Sequence, residues 1–294
     1  MDGPEIAALV ALLRQTDRPW PVVCDLLERG HSAADLLDRE LSESTSGQQN
    51  LIGGDSTALI ERATVDLDRW RQANVAVVTV LDPGYPVNLR AVHDRPPILF
   101  VAGELVPEDR MSIAVVGSRR ATPAGLERAE ALARHLVNAG YTVVSGLAAG
   151  IDAAAHRAAL GARGRTVAVI GTGLEHSYPA QNAALQNDVA TQAAVLSPFW
   201  PETPPSRDTF PMRNAVMSGL TLGTAIVEAT VTSGARIQAR RALAHGRPVF
   251  LDATLLSQDW ARELAQRPAV HVISDPREIT DVVAAATTDG ALAP

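Results

Sequence analysis

The most constraining feature of this sequence is a series of short, nearly unbroken apolar runs, rich in β-branched residues and separated by stretches with helical spacing. Such runs are typical of strands buried on both faces, because neither face then needs polar residues. They occupy residues 75–81, 98–103, 113–118, 142–147, 166–171, 194–197, 224–229, 248–253 and 270–273. Strands that alternate with helices predict an α/β fold with a doubly wound, mostly parallel sheet.

The first 40 residues show a different pattern. Apolar residues recur three and four positions apart, with interruptions at Pro19 and Pro21, which indicates a small helical unit. Residues 42–57 are polar and rich in serine and glycine, which predicts a loop or linker, and residues 59–70 are amphipathic. We therefore expect a small helical domain with its linker over residues 1–74 and an α/β domain over residues 75–294.

Composition argues against several classes of protein. No uncharged apolar run reaches the roughly 18 residues that a membrane span needs, and the N-terminus lacks the basic flank and cleavage site of a signal peptide. We therefore expect a cytoplasmic protein that is not inserted in a membrane. The single cysteine, Cys24, excludes an internal disulfide and a typical structural zinc site. The seven histidines show no metal-ligand spacing, so we expect neither a metal nor a cofactor.

Charge is distributed unevenly along the chain. The 26 basic residues are all arginine and the acidic residues number 33, so the net charge is −7. This balance argues against a protein that binds nucleic acid over its whole surface. Residues 111–250, however, contain 13 arginines and 8 acidic residues, whereas both ends of the chain are acidic. A nucleic-acid site should therefore be one bounded groove in the basic middle of the chain. A further alternative is that the acidic N-terminal helices bind a protein partner.

Small polar residues follow several predicted strands, at the edge of the sheet where open α/β folds bind ligands. These turns contain Gly117, Ser118, Arg119 and Arg120 after one strand, Ser145 and Gly146 after the next, residues 171–173, and later Ser233 and Gly234. Backbone N–H groups, hydroxyls and guanidinium groups that converge beside helix N-termini bind phosphate. The sequence therefore predicts an anion site built from these turns.

Two nucleotide-binding motifs and a hydrolase site are disfavoured. No GxGxxG with a following acidic residue is present, and a chain without lysine has no GxxxxGK[ST] loop. Ser145, Asp152 and His156 suggest a catalytic set, but no GxSxG elbow surrounds the serine. We instead expect Asp152 to cap its helix and to hold His156 four residues later, and we predict no catalytic residue.

Several long segments then occur in a recognisable order. They are GSRRATPAG, SGLAAGIDAAAHRAAL, TVAVIGTGLEHSYPAQNAAL, ETPPSRDTFPMRNAVMSGLT and SGARIQARRALAHGRPVF. With the preceding segment at 78–105, they resemble the DNA-processing protein A family, also called Smf, over about residues 75–250. The resemblance implies an extended Rossmann-like domain after a small helical, SAM-like domain. It also implies a homodimeric, non-enzymatic protein that binds single-stranded DNA, protects incoming strands and loads the recombinase RecA on them in natural transformation.

The family motifs also imply site residues. Arg119 and Arg213, the latter beside Asn214, match the positions implied as phosphate contacts. The neighbouring turns would add hydrogen bonds from Gly117, Ser118, Ser145, Gly146, Ser233 and Gly234. Arg236 and Arg240, one helical turn apart, would extend the basic face, whereas Arg241 is expected to be ordinary surface. For Phe199 and Trp200, packing against the sheet is favoured over stacking on bases.

The sequence departs from the family pattern on the ligand side of the sheet. Pro198 replaces an expected glutamate, Ala215 replaces the second arginine of an RNR run, and residues 235–238 and the segment after Phe250 differ. A diverged paralogue without the C-terminal winged-helix domain of some members fits these changes. The alternative function is a sensor or hydrolase of a nucleotide-derived small molecule in the same pocket, with Glu228 either capping a loop or lining that pocket.

Overall fold

The computed structural model describes residues 3–45 and 55–288 of the chain. It begins with four helices, α1 (Gly3–Gln15), α2 (Trp20–Glu28), α3 (Ala33–Thr45) and α4 (Ser56–Gln72). Pro19 immediately precedes α2, and Asp55 caps α4 by accepting a hydrogen bond from the Thr57 backbone N–H at 2.9 Å. The helical unit predicted for the first 40 residues is confirmed.

The loop predicted at 42–57 is wrong at both of its ends. Residues 42–45 continue α3, where the Ser42 hydroxyl donates to the Asp38 carbonyl oxygen at 2.7 Å, and residues 56–57 begin α4. Serine is compatible with a helix when its hydroxyl returns to the preceding turn in this way. Residues 46–54 of the predicted loop lie outside the described residues.

All nine predicted strands are present in one sheet. They are β1 (Val75–Thr79), β2 (Ile98–Gly103), β3 (Ser112–Val116), β4 (Thr142–Ser145), β5 (Thr166–Val169), β6 (Ala194–Ser197), β7 (Gly223–Ile226), β8 (Val249–Asp252) and β9 (Val270–Ile273). Their order across the sheet is β1-β2-β6-β5-β4-β3-β7-β8-β9. The chain thus winds outward from β3 in both directions, as in a doubly wound fold.

The sheet is parallel except around β2, which runs antiparallel to both β1 and β6. The Val80 backbone N–H donates to the Pro97 carbonyl oxygen at 2.9 Å, which continues the β1–β2 ladder into the connection. That connection, which contains the short helix α5 (Val87–Arg90), therefore closes as a long hairpin loop and does not cross the sheet. The mostly parallel α/β fold predicted from the sequence is confirmed.

Helices cover both faces of the sheet. Those that follow β3 are α6 (Pro123–Asn138), α7 (Ile151–Gly161), α8 (Ala183–Gln192), α9 (Thr209–Leu220), α10 (Ala235–Ala244), α11 (Asp259–Leu264) and α12 (Arg277–Thr288). Ala114 and Val116 of β3 pack in the core shared with α1–α4, whereas Ile113 and Val115 pack with α6, α7 and α12. This alternation explains the unbroken apolar run. No helix in the described ranges is long and apolar enough to span a bilayer.

Aromatic side chains connect the N-terminal helices to the sheet. The Trp70 ring of α4 meets Phe100 of β2 edge-on at 5.0 Å between centroids and stacks on Trp200 at 6.0 Å. The Arg14 guanidinium lies 4.4 Å from the Trp200 ring centroid. Phe199, which is 8% exposed, packs near Trp20. Packing within the protein, which the sequence favoured for Phe199 and Trp200, is therefore what the structure shows.

The turn after β4 supports the turn after β3. Gly150, immediately before α7, has φ +78° and ψ −125°, a conformation that residues with a β-carbon avoid. A β-carbon at this position would collide with the backbone of Ser118 and Arg119. The Ile151 N–H donates to the Ser118 carbonyl oxygen at 3.2 Å. The close approach of the two turns therefore requires glycine.

We predict that Gly150→Ala lowers the free energy of unfolding by about 3 kcal/mol or more, because backbone strain and a collision both contribute. Gly140→Ala is the matched control, since Gly140 has φ +82° with no atom within 4 Å of its β-carbon position. Strain alone should then cost about 1–2 kcal/mol. Urea unfolding of both variants tests the difference, and equal losses would show that the two turns are not tightly packed.

Candidate functional site

The turns after β3, β4 and β7 meet at one pocket of about 760 Å³. It lies at the carboxyl ends of the parallel strands, where the chain winds to opposite sides of β3. Its lining consists of residues 116–120, Ala148, Asp152, Arg207, residues 210–211 and 213–214, Met217, Thr230, residues 232–235, and residues 237–238. The N-terminal ends of α7, α9 and α10 border this pocket, and the positive ends of their helix dipoles favour an anion there.

The pocket is strongly basic. Its lining contains four arginines, Arg119, Arg120, Arg207 and Arg213, and one acidic residue, Asp152. The first three arginines are exposed, whereas Arg213 is buried. Arg120 belongs to the turn predicted as part of an anion site, whereas Arg207 was not predicted from the sequence. The local charge is thus opposite in sign to the net charge of the chain, −7.

Arg213 forms part of the pocket floor and is 5% exposed. Its Nη1 donates to the carbonyl oxygens of Gly146 at 2.8 Å and Val169 at 2.7 Å, and its Nε donates to Oδ1 of Asn214 at 3.0 Å. A β-carbon on Gly146 would overlap the guanidinium. Gly146 therefore admits Arg213 and does not itself line the pocket, which corrects its predicted role as a ligand contact.

Asp152 supplies the buried countercharge. Its Oδ2 accepts hydrogen bonds from the backbone N–H groups of Gly146 at 3.1 Å and Ala148 at 3.4 Å. Burial raises the pKa of Asp152 and lowers the pKa of Arg213, while the opposite charge of each partner counteracts the effect on the other. One carboxylate therefore offsets one guanidinium, and the exposed arginines set the sign of the pocket.

Ser145, Asp152 and His156 do not have the contacts of a catalytic triad. The imidazole Nδ1 of His156 is hydrogen-bonded to Oγ1 of Thr166 at 2.7 Å, so the expectation that Asp152 holds His156 is wrong. The ring turns toward β5 and away from the helix N-terminus. The Ser145 hydroxyl donates to the Val115 carbonyl oxygen at 2.6 Å inside the sheet. The prediction of a ligand contact from Ser145 is therefore also wrong.

Glu228 fixes the turn after β3. Its carbonyl oxygen accepts from the Ser118 N–H at 2.6 Å, and its carboxylate accepts from the Thr122 N–H at 3.0 Å and from the Thr122 hydroxyl at 2.5 Å. Thr122 then caps α6 by accepting from the Gly125 N–H at 3.0 Å. Glu228 is not part of the pocket lining, so it has the loop-capping role of the two considered. The Ser118 N–H is used within the protein, which leaves guanidinium groups as the main donors of this turn.

Arg236 and Arg240 lie outside the pocket lining. Arg236 donates through Nη1 to the Val231 carbonyl oxygen, and its guanidinium lies 5.4 Å from the Trp260 ring centroid. Arg240 is exposed, and the basic extension along α10 stays a prediction. The residues of α10 that line the pocket are Ala235, Ile237 and Gln238.

Two aromatic rings beside the pocket were not predicted from the sequence. Phe210 lines it, and its ring centroid lies 5.3 Å from the Arg119 guanidinium and 6.0 Å from that of Arg213. Tyr178, which is 44% exposed, lies 5.6 Å from Phe210 between ring centroids. Gly171, from the third predicted turn, abuts Phe210. Phe210 precedes Arg213 by three residues, so the two side chains lie on one face of α9. This spacing is the feature of the sequence from which the position of the ring could have been predicted.

Residues 76–283, well over half of the chain, match the family model described as DNA recombination-mediator protein A. The chain belongs to this family. Relatives within it include DNA processing protein DprA of Bacillus subtilis, 36% identical over 185 residues, and that of Streptococcus pneumoniae, 42% identical over 172 residues. These alignments cover 63% and 58% of this chain, and 62% and 61% of the relatives. The chain thus spans about three fifths of the length of these curated relatives.

Two solved structures of DNA processing protein A have a similar fold. The X-ray structure of the Streptococcus pneumoniae protein has a TM-score of 0.72 and 30% identity, over 92% of this chain and 95% of that one. The Helicobacter pylori protein, described for its unique single-stranded DNA binding mode, has a TM-score of 0.63 and 25% identity, over 73% of this chain and 96% of that one. The extended Rossmann-like fold expected from the family motifs is confirmed.

The buried side chain of His156 should make the stability of the protein depend on pH. Burial lowers the pKa of His156 to about 3, whereas the unfolded chain should titrate near the ordinary value of about 6.5. Between pH 7 and pH 5 only the unfolded state gains this proton. The free energy of unfolding should therefore fall by about 2 kcal/mol over this range. Urea unfolding at both pH values should show this loss in the wild type and a smaller one in His156→Gln. Parallel losses in the two proteins would contradict the assignment.

Proposed function

We propose that this protein is a single-stranded DNA-binding recombination mediator and that its basic pocket holds the DNA backbone. The proposal rests on the four arginines that surround a single buried carboxylate where the strands end. Guanidinium groups match phosphate oxygens in charge and in the geometry of their paired donors. Membership of the recombination-mediator family and the single-stranded DNA binding described for the Helicobacter pylori protein support it.

Phosphates are contacted first by the exposed side chains Arg119, Arg120 and Arg207. Arg213 and Asn214 contribute from the floor, where Arg213 has a buried, preorganised position. The smaller lining residues allow the backbone of the nucleic acid to approach; they are Gly117, Ser118, Ser233 and Gly234. A groove of this size holds a short stretch of strand, in agreement with a bounded basic site in an acidic chain.

Bases stack on the rings beside the arginines. Phe210 borders the pocket and Tyr178 continues the aromatic surface outward, with 44% of the tyrosine exposed. Binding of single strands without sequence preference combines a positive groove with such platforms, since every base has a π-face. Phe199 and Trp200 have no part in this, because they pack against the N-terminal helices.

We further propose that a homodimer of this protein protects incoming strands and delivers them to the RecA recombinase during natural transformation. The family description as a recombination mediator supports this role. A protein with this role acts where the chromosome is recombined, in the cytoplasm. Light scattering of the purified protein tests the dimer, and RecA filament formation on single-stranded DNA with and without the protein tests delivery.

We propose binding without hydrolysis of the nucleic acid or of a nucleotide. In the described lining the one carboxylate is Asp152, and it accepts two backbone hydrogen bonds beside Arg213. Glu228, the residue that a hydrolase would use, is bound to Thr122. A general base must reach its substrate, and neither carboxylate is placed to do so. Release of a base from nucleoside monophosphates, lost in Glu228→Ala, would instead favour the hydrolase.

Removing the pocket charges should weaken binding and flatten its dependence on salt. Arg119→Ala and Arg207→Ala each remove one phosphate contact, so each should lower the slope of log K against log salt by about 0.7. Fluorescence anisotropy of a labelled oligonucleotide between about 50 and 200 mM salt measures this slope. Arg213→Ala should also weaken binding, and circular dichroism should accompany it because the side chain is buried.

Arg71→Ala provides the matched control for these variants. Arg71 is on α4, its side chain is 78% exposed, and its partner is Asp68 of the same helix. This variant should bind like the wild type, with the same salt slope. Pocket variants that bind like Arg71→Ala at low salt would show that the DNA lies elsewhere on the protein.

Removing the stacking surface should have a different signature. Tyr178→Ala should weaken binding by about 1–3 kcal/mol at every salt concentration and leave the salt slope unchanged, because no charge is lost. Tyr178→Phe keeps the ring and should bind like the wild type. The same anisotropy titrations measure both, and a defect in Tyr178→Phe would mean that the hydroxyl, and not the ring, makes the contact.

A further inference from the structure

Outside the pocket, three side chains with metal-binding atoms converge at the far end of α10. His245 follows the last residue of α10, and His93 and Asp94 lie in the connection between β1 and β2. One nitrogen or carboxylate oxygen from each lies within 4.8 Å of the other two. Nε2 of His245 is 2.7 Å from Oδ1 of Asp94, and the two imidazole rings meet edge to face at 5.7 Å between centroids. Spacing could not reveal this cluster, because 151 residues separate Asp94 from His245.

The surrounding hydrogen bonds orient the His245 ring. The Ser218 hydroxyl donates to the Ala215 carbonyl oxygen at 3.1 Å and lies 2.8 Å from Nδ1 of His245. The ring is thus held between Ser218 at Nδ1 and Asp94 at Nε2, so Nε2 faces the carboxylate. A metal-binding histidine has the same arrangement, with its other ring nitrogen held by a polar partner.

We propose that His93, Asp94 and His245 bind a divalent transition-metal ion, for which Zn²⁺ is the best match. Two imidazoles and a carboxylate are ligands that zinc accepts, and water completes a four-coordinate site. Zinc bonds of about 2.0–2.1 Å place tetrahedral ligand atoms about 3.3 Å apart. The short Asp94–His245 contact therefore opens slightly, and the exposed side chain of His93 closes on the ion.

The local electrostatics suit a cation. The carboxyl end of α10 carries the negative end of the helix dipole, next to the buried His245 ring. The nearest competing charge is Arg241, whose Nη1 lies 3.7 Å from Oδ2 of Asp94. Its side chain is 43% exposed, so it can turn into solvent when an ion binds. Arg241, which the sequence predicted to be ordinary surface, thus forms an ion pair with Asp94.

The ion would link two segments that are remote in sequence. It joins the connection between β1 and β2 to the carboxyl end of α10, while the opposite end of α10 borders the DNA pocket through Gly234 and Ala235. An ion that binds only the folded arrangement stabilises it by mass action. The site is therefore structural, and its existence does not depend on what the pocket binds.

Titration of the metal-free protein with Co²⁺ and with Zn²⁺ tests the proposal. The wild type should bind one ion per chain, with the visible absorption of four-coordinate Co²⁺ displaced by Zn²⁺, and Zn²⁺ should raise its melting temperature. His93→Gln should lose both effects and still fold, because this side chain is exposed and its ring contacts His245. Ser218→Ala, which removes the partner of Nδ1, should bind roughly 10–100-fold more weakly.

Two further variants make the result decisive. His31→Gln alters a histidine of the N-terminal helical region and should bind both ions like the wild type. Arg241→Ala removes the competing charge and should bind at least as tightly as the wild type. The absence of four-coordinate Co²⁺ absorption, or identical titrations for the wild type and His93→Gln, would overturn the proposal and leave His245 and Asp94 as an ion pair.

Discussion

The geometry of the pocket depends on the buried guanidinium of Arg213. Removing a cation from water costs several kcal/mol unless hydrogen bonds and an opposite charge replace the lost hydration. The carbonyl oxygens of Gly146 and Val169 provide the hydrogen bonds, and Asp152 provides the charge. Because these groups lie at the ends of β4 and β5 and at the start of α7, one side chain of α9 ties three elements together.

The same interaction positions the residues that face the ligand. Arg213 anchors α9 over the strand ends, and Phe210, one turn earlier, lies beside the pocket. Arg119 then lies against the ring of Phe210, so the turn after β3 is in contact with α9. Glu228 holds that turn from behind through Thr122, which keeps its own carboxylate out of the lining. Glu228 therefore lies behind this turn, whereas Arg119 lies on the side that lines the pocket.

The sequence was sufficient for the parts of the fold that follow from local pattern. All nine strands could be identified because a strand buried on both faces has no polar alternation. The direction of β2 could not, since periodicity is the same for parallel and antiparallel neighbours. The turns predicted at 117–120 and at Ser233 and Gly234 do lie at one pocket, because strand ends in such sheets share one edge. The role of Ser145 could not be predicted, because the side chain at the end of a strand can face either the ligand or the neighbouring strand.

Long-range placement explains the remaining differences. The arginines of α10 share one helical face, but which face meets the pocket depends on how α10 packs on α9 and the sheet. Arg207 and Tyr178 come from irregular segments whose paths no periodicity describes. The cluster of His93, Asp94 and His245 likewise arises only when the β1–β2 connection folds against the end of α10. Side-chain sites formed by distant segments therefore require the structure.

The all-arginine composition has a physical consequence at this pocket. A lysine buried as deeply as Arg213 would lose its proton, because burial lowers the pKa of an ammonium group into the neutral range. Burial also lowers the pKa of Arg213, but from a value so high that the guanidinium remains charged. Its planar fork also satisfies two carbonyl oxygens and an amide at once. The guanidinium therefore keeps its charge while fully packed and balances the buried Asp152 carboxylate, and the positive sign of the pocket comes from the exposed arginines.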